Sequence, residues 1–322
     1  MDRDVGRGVG KIATVLGLVL LCTASTAELR AQAQDAAKGA ALLTEARQAV
    51  GGDARLGGVK TLDVRGEFRR LAGQTTIEGE LQIRIERPDK WRRDEDLSPP
   101  GGGPAIIRTE VLNGSTVWEE SSGRGGFFIG AFGGRGGRRG GDFGGGRDGR
   151  GDAPVDPAQV EQAQRRAWQA ELTRFLLAWL LVADGPVAWV GTAEAPDGRA
   201  DVLEITPSGA PPLRLFLDQT SHLPLMITWQ GQAPQLVVAG RRGGTRGDSG
   251  RGDAGRGDAG GPPPPRGGQA ANLQMTLADY KAVNGIRLPH LITRGANDMT
   301  TEEWTIDSYR VNPTFRADVF TK

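Results

Sequence analysis

The 322-residue sequence contains few of the residues on which metal and thiol chemistry depend, with one cysteine and two histidines. Cys22 lies in an N-terminal segment that we expect to be removed. The mature chain would then have no disulfide, no catalytic thiol and no cysteine metal ligand. His222 and His290 stand in no His-x-x-His or Glu-x-x-His pattern, whereas a catalytic zinc site usually takes three protein ligands. We therefore predict no metal site.

The sequence also lacks the short motifs of common enzyme classes. It has no Gly-x-Ser-x-Gly elbow, no phosphate-binding loop and no dinucleotide fingerprint. We therefore expect no cofactor, no catalytic residue and no enzymatic activity. The net charge is only +1, which gives the chain no overall attraction for nucleic acid.

An apolar stretch of ten residues, 12–21, follows a polar segment containing Arg3, Arg7 and Lys11. It is too short for a transmembrane helix, which needs about 20 apolar residues. The order of basic and apolar segments is typical of a secretory signal peptide. We predict a signal peptide over 1–33, cleaved near Ala27 or Ala33, and a periplasmic or otherwise exported mature protein.

Glycine is abundant, with 50 residues, and 27 of them fall in the stretches 123–151 and 240–268. These stretches belong to two Gly/Arg-rich inserts, 122–154 and 240–270, which we predict to be disordered because they offer little apolar surface to bury. Arg-Gly-Gly tracts resemble RNA-binding segments, but export argues against a nucleic-acid partner. Because both inserts are basic, peripheral contact with an anionic membrane surface remains an open alternative.

The rest of the chain reads mainly as β-strands. Segment 75–87 alternates Ile77, Leu81, Ile83 and Ile85 with charged residues, which predicts a strand with one buried face. Two helices interrupt this pattern. One covers about 36–50, and the other runs from Asp156-Pro157 to about Ala183.

Several motifs taken together resemble the LolA/LolB-like superfamily of periplasmic lipoprotein-localisation factors. They are Arg87-Pro88-Asp-Lys-Trp91-Arg92, Asn113-Gly-Ser-Thr-Val-Trp118, Leu215-Phe-Leu-Asp218 with Leu223-Pro224, and Val283-Asn-Gly285-Ile-Arg-Leu288-Pro289-His290. The resemblance covers 36–121 and 155–322. It implies a mainly β (α+β) fold, in which a curved antiparallel sheet forms a half-barrel and helices cover its concave face. We expect one such domain over 34–322, interrupted by the two inserts.

The resemblance also implies an apolar cavity between the sheet and the helices. Trp91 and Trp118 occupy the aromatic positions of the motifs, and the apolar half of the long helix supplies a further wall. The ligand-binding residues that we predict are Trp91, Trp118, Leu172, Phe175, Leu176 and Trp179. A purely structural role in the sheet-to-helix core remains open for each of them.

The functional expectation is a non-catalytic periplasmic carrier that holds a lipid or the acyl chain of a lipid-anchored protein in this cavity. The alternative is an envelope scaffold or sensor that has no ligand and meets an envelope protein partner through its loops. The same fold supports both functions.

Overall fold

A computed structural model describes residues 32–72, 75–98, 105–122, 127–128, 156–195, 198–208, 210–232, 237–238 and 270–322. The predicted signal peptide therefore lies outside the described residues, apart from 32–33. The two predicted inserts do so as well, apart from Ser122, Phe127–Phe128 and Ala270.

Three helices are described: α1 (32–50), α2 (Asp53–Gly58) and α3 (Pro157–Leu180). Asp156 caps α3, because its carboxylate accepts a hydrogen bond from the amide of Ala158 at 3.0 Å. At the other end Leu181 is left-handed with φ 51°. The amide of Val182 donates to the carbonyl of Leu176 at 3.2 Å, which closes the helix.

The strands are β1 (Thr61–Ala72), β2 (Thr75–Glu86), β3 (Lys90–Ser98), β4 (Ile106–Asn113), β5 (Thr116–Ser122), β6 (Phe127–Phe128), β7 (Val187–Ala195), β8 (Gly198–Ile205), β9 (Leu213–Asp218), β10 (Pro224–Gln232), β11 (Val237–Val238), β12 (Ala270–Val283), β13 (Ile286–Ala296) and β14 (Met299–Val311). Twelve of them form one sheet in the order β5-β4-β3-β2-β1-β14-β13-β12-β10-β9-β8-β7. Every pairing in it is antiparallel. The sheet is open, with β5 and β7 at its edges, and β6 pairs separately with β11.

One face of the sheet, which we call the inner face, packs against α1 and α3. The alternation in β2 sets this arrangement, because Ile83 and Ile85 point inward beside Val64 and Leu62 of β1. Buried residues of the inner face and of both helices form a single hydrophobic cluster. The opposite, outer face carries mostly polar residues near β1, β2 and β3.

Tight turns sit where the sequence places asparagine and glycine. Between β12 and β13, Asn284 and Gly285 have φ values of 51° and 78°. Both residues tolerate this left-handed region, which a two-residue hairpin turn requires. The turn fixes the register of the β12–β13 hairpin, in which Val283 lies opposite Ile286.

The predicted fold class is confirmed, since the described chain is one large antiparallel sheet with helices on one face. The differences are local. Helix α1 begins at residue 32 and not at 36, and α2 was not predicted. Phe127–Phe128 falls inside the first predicted insert but forms a short strand. No helix in the described ranges is long and apolar enough to cross a membrane.

Gly79 tests the close packing of β2 against β3. A Cβ atom at this position would lie 2.1 Å from the backbone oxygen of Asp96 and 2.9 Å from the Phe68 ring. We expect Gly79→Ala to lower the free energy of unfolding by about 1–3 kcal/mol, because backbone cannot move aside cheaply. Urea denaturation of the variant and the wild type measures this difference in the free energy of unfolding.

Gly57→Ala is the matched control, because a Cβ at Gly57 in α2 meets nothing within 4 Å. Alanine there should leave stability unchanged or raise it by up to about 1 kcal/mol. Equal denaturation midpoints for Gly79→Ala and the wild type would contradict the described β2–β3 packing.

Candidate functional site

The interface between α3 and the inner face collects most of the predicted ligand-binding residues. Five of the six lie there and are buried: Trp91, Leu172, Phe175, Leu176 and Trp179. The rings of Phe175 and Trp179 stack at 4.8 Å between centroids. Trp91 lies 5.8 Å from Trp168 of α3. The structure therefore brings these five residues into one apolar seam between helix and sheet.

Trp118 lies on the other side of the sheet. It pairs with Val111 of β4, whereas Trp91 pairs with the next residue, Leu112. Successive residues of a strand point to opposite faces, so Trp118 is on the outer face. There it lies 6.0 Å from the guanidinium carbon of Arg92. Trp118 does not line the seam with the other five residues.

Beside the apolar seam, the inner face carries a buried network of ion pairs that sequence analysis missed. Its central members are Arg70, Arg93, Glu95 and Glu302, in which each carboxylate pairs with both arginines. The four side chains come from three strands, and each is no more than 9% exposed. Carboxylates and guanidinium groups this deep remain charged only because each is paired.

The network reaches α3 through Arg294 of β13. Its guanidinium lies 2.7 Å from Glu171 of α3, and Glu171 also accepts hydrogen bonds from Arg174 one helical turn later. Arg174 in turn lies over the ring of Trp229 of β10, with 4.5 Å to the centroid. The middle of the helix is thus tied to the sheet by charge-assisted contacts.

A third part of the network lies on β4 and β5. Arg108 pairs with Glu110 at 2.5 Å and with Glu119 at 3.0 Å. Across all three parts five arginines face five glutamates, and Glu119 is the one exposed member of the set. The complete set is Arg70, Arg93, Arg108, Arg174 and Arg294 with Glu95, Glu110, Glu119, Glu171 and Glu302.

Burial and the arginines act in opposite directions on these carboxyl groups. Burial alone would raise the pKa of Glu171, but Arg294 and Arg174 outweigh it and hold the pKa at about 2. The pKa of Glu302 is lowered in the same way by Arg70 and Arg93. For Glu110 burial prevails over Arg108, and its pKa is raised. The Glu171 carboxylate, which joins α3 to the sheet, is therefore charged at neutral pH.

The two histidines lie apart from this interface chemistry. His290 is buried, and its Nδ1 lies 3.1 Å from the carbonyl of Leu288 within β13. His222 is half-exposed, 3.7 Å from the carboxylate of Glu45. Within the described residues, no group of three or more histidine, cysteine or acidic side chains could hold a metal ion.

The polar ties between α3 and the sheet end before residue 175. Arg165 donates to the carbonyl of Ser115 and Gln164 to Glu119, and the Glu171–Arg294 pair follows further along the helix. After Arg174, no side-chain hydrogen bond or ion pair joins the helix to the sheet in the described part of the chain. The C-terminal segment 175–181 is buried throughout and held by apolar contacts alone.

The outer face of β1, β2 and β3 forms a shallow acidic groove. Two adjoining cavities of about 400 and 560 Å³ share Glu67, Glu80 and Asp96 in their walls. These three residues are directly opposite one another on neighbouring strands. Like charges in that position destabilise a sheet slightly, so the groove concentrates negative charge at a small cost in stability.

The Glu171 contacts predict a specific pH dependence of stability. Its pKa is lower in the folded chain than the ordinary 4.5, so its stabilising effect is present above about pH 4.5. That effect is lost as the pH falls toward 2, because the unfolded chain takes up the proton first. We expect Glu171→Gln to flatten the fall in unfolding free energy across this window, as measured by urea denaturation at each pH.

At neutral pH the same variant should lose about 3–5 kcal/mol, because Arg294 and Arg174 then stay buried without their carboxylate partner. Glu194→Gln is the control. Glu194 pairs with Arg199 on the surface, where both side chains are about 70% exposed, and its loss should cost less than about 1 kcal/mol. Equal losses in both variants would contradict a structural role for the buried network.

Comparison with known proteins gives matches at the level of structure only. No family model and no curated protein matches the chain. Among solved structures, a LolA superfamily protein from Nitrosomonas europaea is 11% identical, with a TM-score of 0.42 over 88% of this chain and 97% of that one. A putative outer membrane lipoprotein-sorting protein domain from Vibrio parahaemolyticus is 12% identical, with a TM-score of 0.40 over 89% and 97%. A DUF1329 family protein from Desulfovibrio piger is 7% identical, with a TM-score of 0.40 over 88% and 96%. A LolA superfamily protein is thus among the solved structures to which this chain is similar.

Proposed function

We propose that this protein is an exported, non-catalytic binding or carrier protein that takes up a lipid, or the acyl chain of a lipid-anchored protein, between α3 and the inner face. The observation that carries the proposal is the difference between two consecutive segments of α3. Residues 164–174 make hydrogen bonds and ion pairs to the sheet, whereas 175–181 touch it through apolar contacts only.

Apolar contacts can be exchanged for a ligand at little cost. Burial of apolar surface is worth roughly 25 cal/mol per Å² and is not directional, so an acyl chain can replace Phe175 or Trp179 against the sheet without breaking a hydrogen bond. The polar ties of segment 164–174 would meanwhile keep the helix attached to the sheet. The seam then has two states, one in which 175–181 pack on the sheet and one that is open to the ligand. Binding of the ligand favours the open state.

Export belongs to the proposal too. It rests on the basic and apolar segments of residues 1–33, and it would place the protein where lipid-anchored proteins are handled. An N-terminal sequence of the secreted protein that starts after Ala27 or Ala33 would support it, while an uncleaved chain in the cytoplasm would contradict it.

Lipid content is the first test of acyl binding. The mature chain, purified without detergent and extracted with organic solvent, should release lipid that mass spectrometry detects. A saturating acyl ligand at 100 times its dissociation constant should add about 2.7 kcal/mol to the free energy of unfolding. A protein that is empty when purified and gains no thermal stability from acyl ligands contradicts the proposal.

Charge in the seam should abolish binding. We expect Phe175→Asp to lose acyl ligands, because a carboxylate at a fully buried position cannot be desolvated beside an alkyl chain. Gln169→Asp is the control on the exposed side of the same helix and should bind as the wild type does. If Phe175→Asp fails to fold, Phe175→Ala with a normal circular dichroism spectrum serves instead. Unchanged affinity in the folded seam variant would contradict the assignment.

The second candidate is an envelope scaffold or sensor without a ligand. The acidic groove on the outer face favours it, since Glu67, Glu80 and Asp96 make no ion pair within the described residues and could meet a cationic partner surface. The lipid test separates the two functions. The scaffold replaces the carrier if the protein holds no lipid and no acyl ligand stabilises it.

A further inference from the structure

Three tryptophans in the helix–sheet interface keep a buried polar atom without a partner. The indole Nε1 atoms of Trp91, Trp179 and Trp304 are inaccessible to solvent, and none finds a hydrogen-bond acceptor among the described residues. The side chains are at most 1% exposed. More than 90% of buried polar groups in native proteins are paired, so three in one interface need an explanation.

Two of the three flank the centre of the apolar seam. Trp179 stacks on Phe175 at 4.8 Å, and Trp304 of β14 lies 5.7 Å from the same ring. This is the part of α3 that has no polar tie to the sheet. The nearest aromatic hydroxyl, that of Tyr309, already donates to the carbonyl of Pro289. Two N–H donors therefore stand at the place where we propose that an acyl chain enters.

Among the other described tryptophans, Trp118 on the outer face also keeps a buried Nε1 without a partner, whereas Trp189 shows how a neighbouring strand can pair an indole N–H. Trp189 of β7 donates to the carboxylate of Asp201 on the neighbouring strand at 2.9 Å. Where a tryptophan ring serves only to pack, phenylalanine would fill a similar space and would bury no polar atom. Trp179 and Trp304 retain the donor in a seam that gives it no acceptor, which favours an acceptor brought by the ligand.

The charges near the seam decide which acceptor it is. The arginines beside it, Arg70, Arg93, Arg174 and Arg294, all pair with glutamates. None is left to neutralise a carboxylate on a ligand, and burying an unpaired carboxylate is costly. A neutral carbonyl oxygen needs only an N–H donor, which the two tryptophans supply.

We propose that Trp179 and Trp304 bind the carbonyl oxygen of an acyl ester or acyl amide, so that the ligand is a neutral acylated molecule and neither a hydrocarbon nor a free fatty acid. This inference rests on the proposed function, because it requires a ligand in the seam. It names the chemical class that the seam selects. Ester and amide carbonyls occur in glycerolipids and in acylated polypeptides alike.

The test compares three probes delivered from cyclodextrin: a fatty-acid methyl ester, the n-alkane with the same number of non-hydrogen atoms, and the free fatty acid at a pH above its pKa. Dissociation constants come from competition with a fluorescent fatty-acyl probe. One hydrogen bond to the carbonyl corresponds to about tenfold tighter binding of the ester than of the alkane. The fatty-acid anion should bind more weakly than the ester.

Variants connect the preference to the two donors. Trp179→Phe and Trp304→Phe keep an aromatic ring but remove the N–H, so each should bring the ester-to-alkane affinity ratio closer to one. Trp189→Phe is the control, because its donor already bonds Asp201, and the ratio should stay at the wild-type value. The ratio cancels any general weakening of the seam, and the wild-type ratio alone still decides the matter if a variant fails to fold.

Each outcome of these binding measurements either supports or overturns the inference. Equal affinity for ester and alkane, or tightest binding of the fatty-acid anion, overturns this inference and leaves acyl binding in place. If none of the probes binds, the proposed function falls as well. A diacylglycerol and a diacylated lipopeptide, measured in the same way, then show which source of acyl carbonyl binds more tightly.

Discussion

The apolar packing of α3 on the inner face of the sheet is the interaction on which the rest of the molecule depends. The sheet is open at β5 and β7, so its inner face needs a cover along its whole width. Helix α3 supplies this cover together with α1, with Trp168 beside Trp91 of β3 and Phe175 beside Trp304 of β14. A helix with only one apolar stripe could not cover the sheet in this way, whereas residues 175–181 of α3 are apolar on every side.

The buried network gives that non-directional packing one fixed position. Hydrophobic contacts alone would allow α3 to slide or rotate, whereas the Glu171–Arg294 pair permits one placement. Buried ion pairs are weak evidence for net stability, because desolvation offsets most of the attraction. Their position along the helix matters more here. They hold the segment before 175, whereas 175–181 pack on the sheet through apolar contacts alone.

The sequence predicts the elements well, because period-2 alternation in β2 and the Asp156-Pro157 start of α3 are local signals. It predicts the network poorly. Strand β3 alternates charged residues on both faces, so Arg93 and Glu95 could not be assigned to the interior without knowing their partners on β1 and β14. The face on which Trp118 lies could not be predicted for a related reason: Val117 and Trp118 are adjacent, and only the pairing register with β4 decides which one faces inward.

Hydrogen exchange along α3 tests the central claim most directly. In the presence of a fatty-acid methyl ester, the amides of 175–181 should change their protection against exchange. The reason is that this segment exchanges its contacts with the sheet for contacts with the ligand. The amides of 164–174 should exchange as they do in the free protein, since the polar ties hold that segment in place. A change spread evenly along the helix, or none at all, would contradict the division of α3 into an anchored and an exchangeable segment.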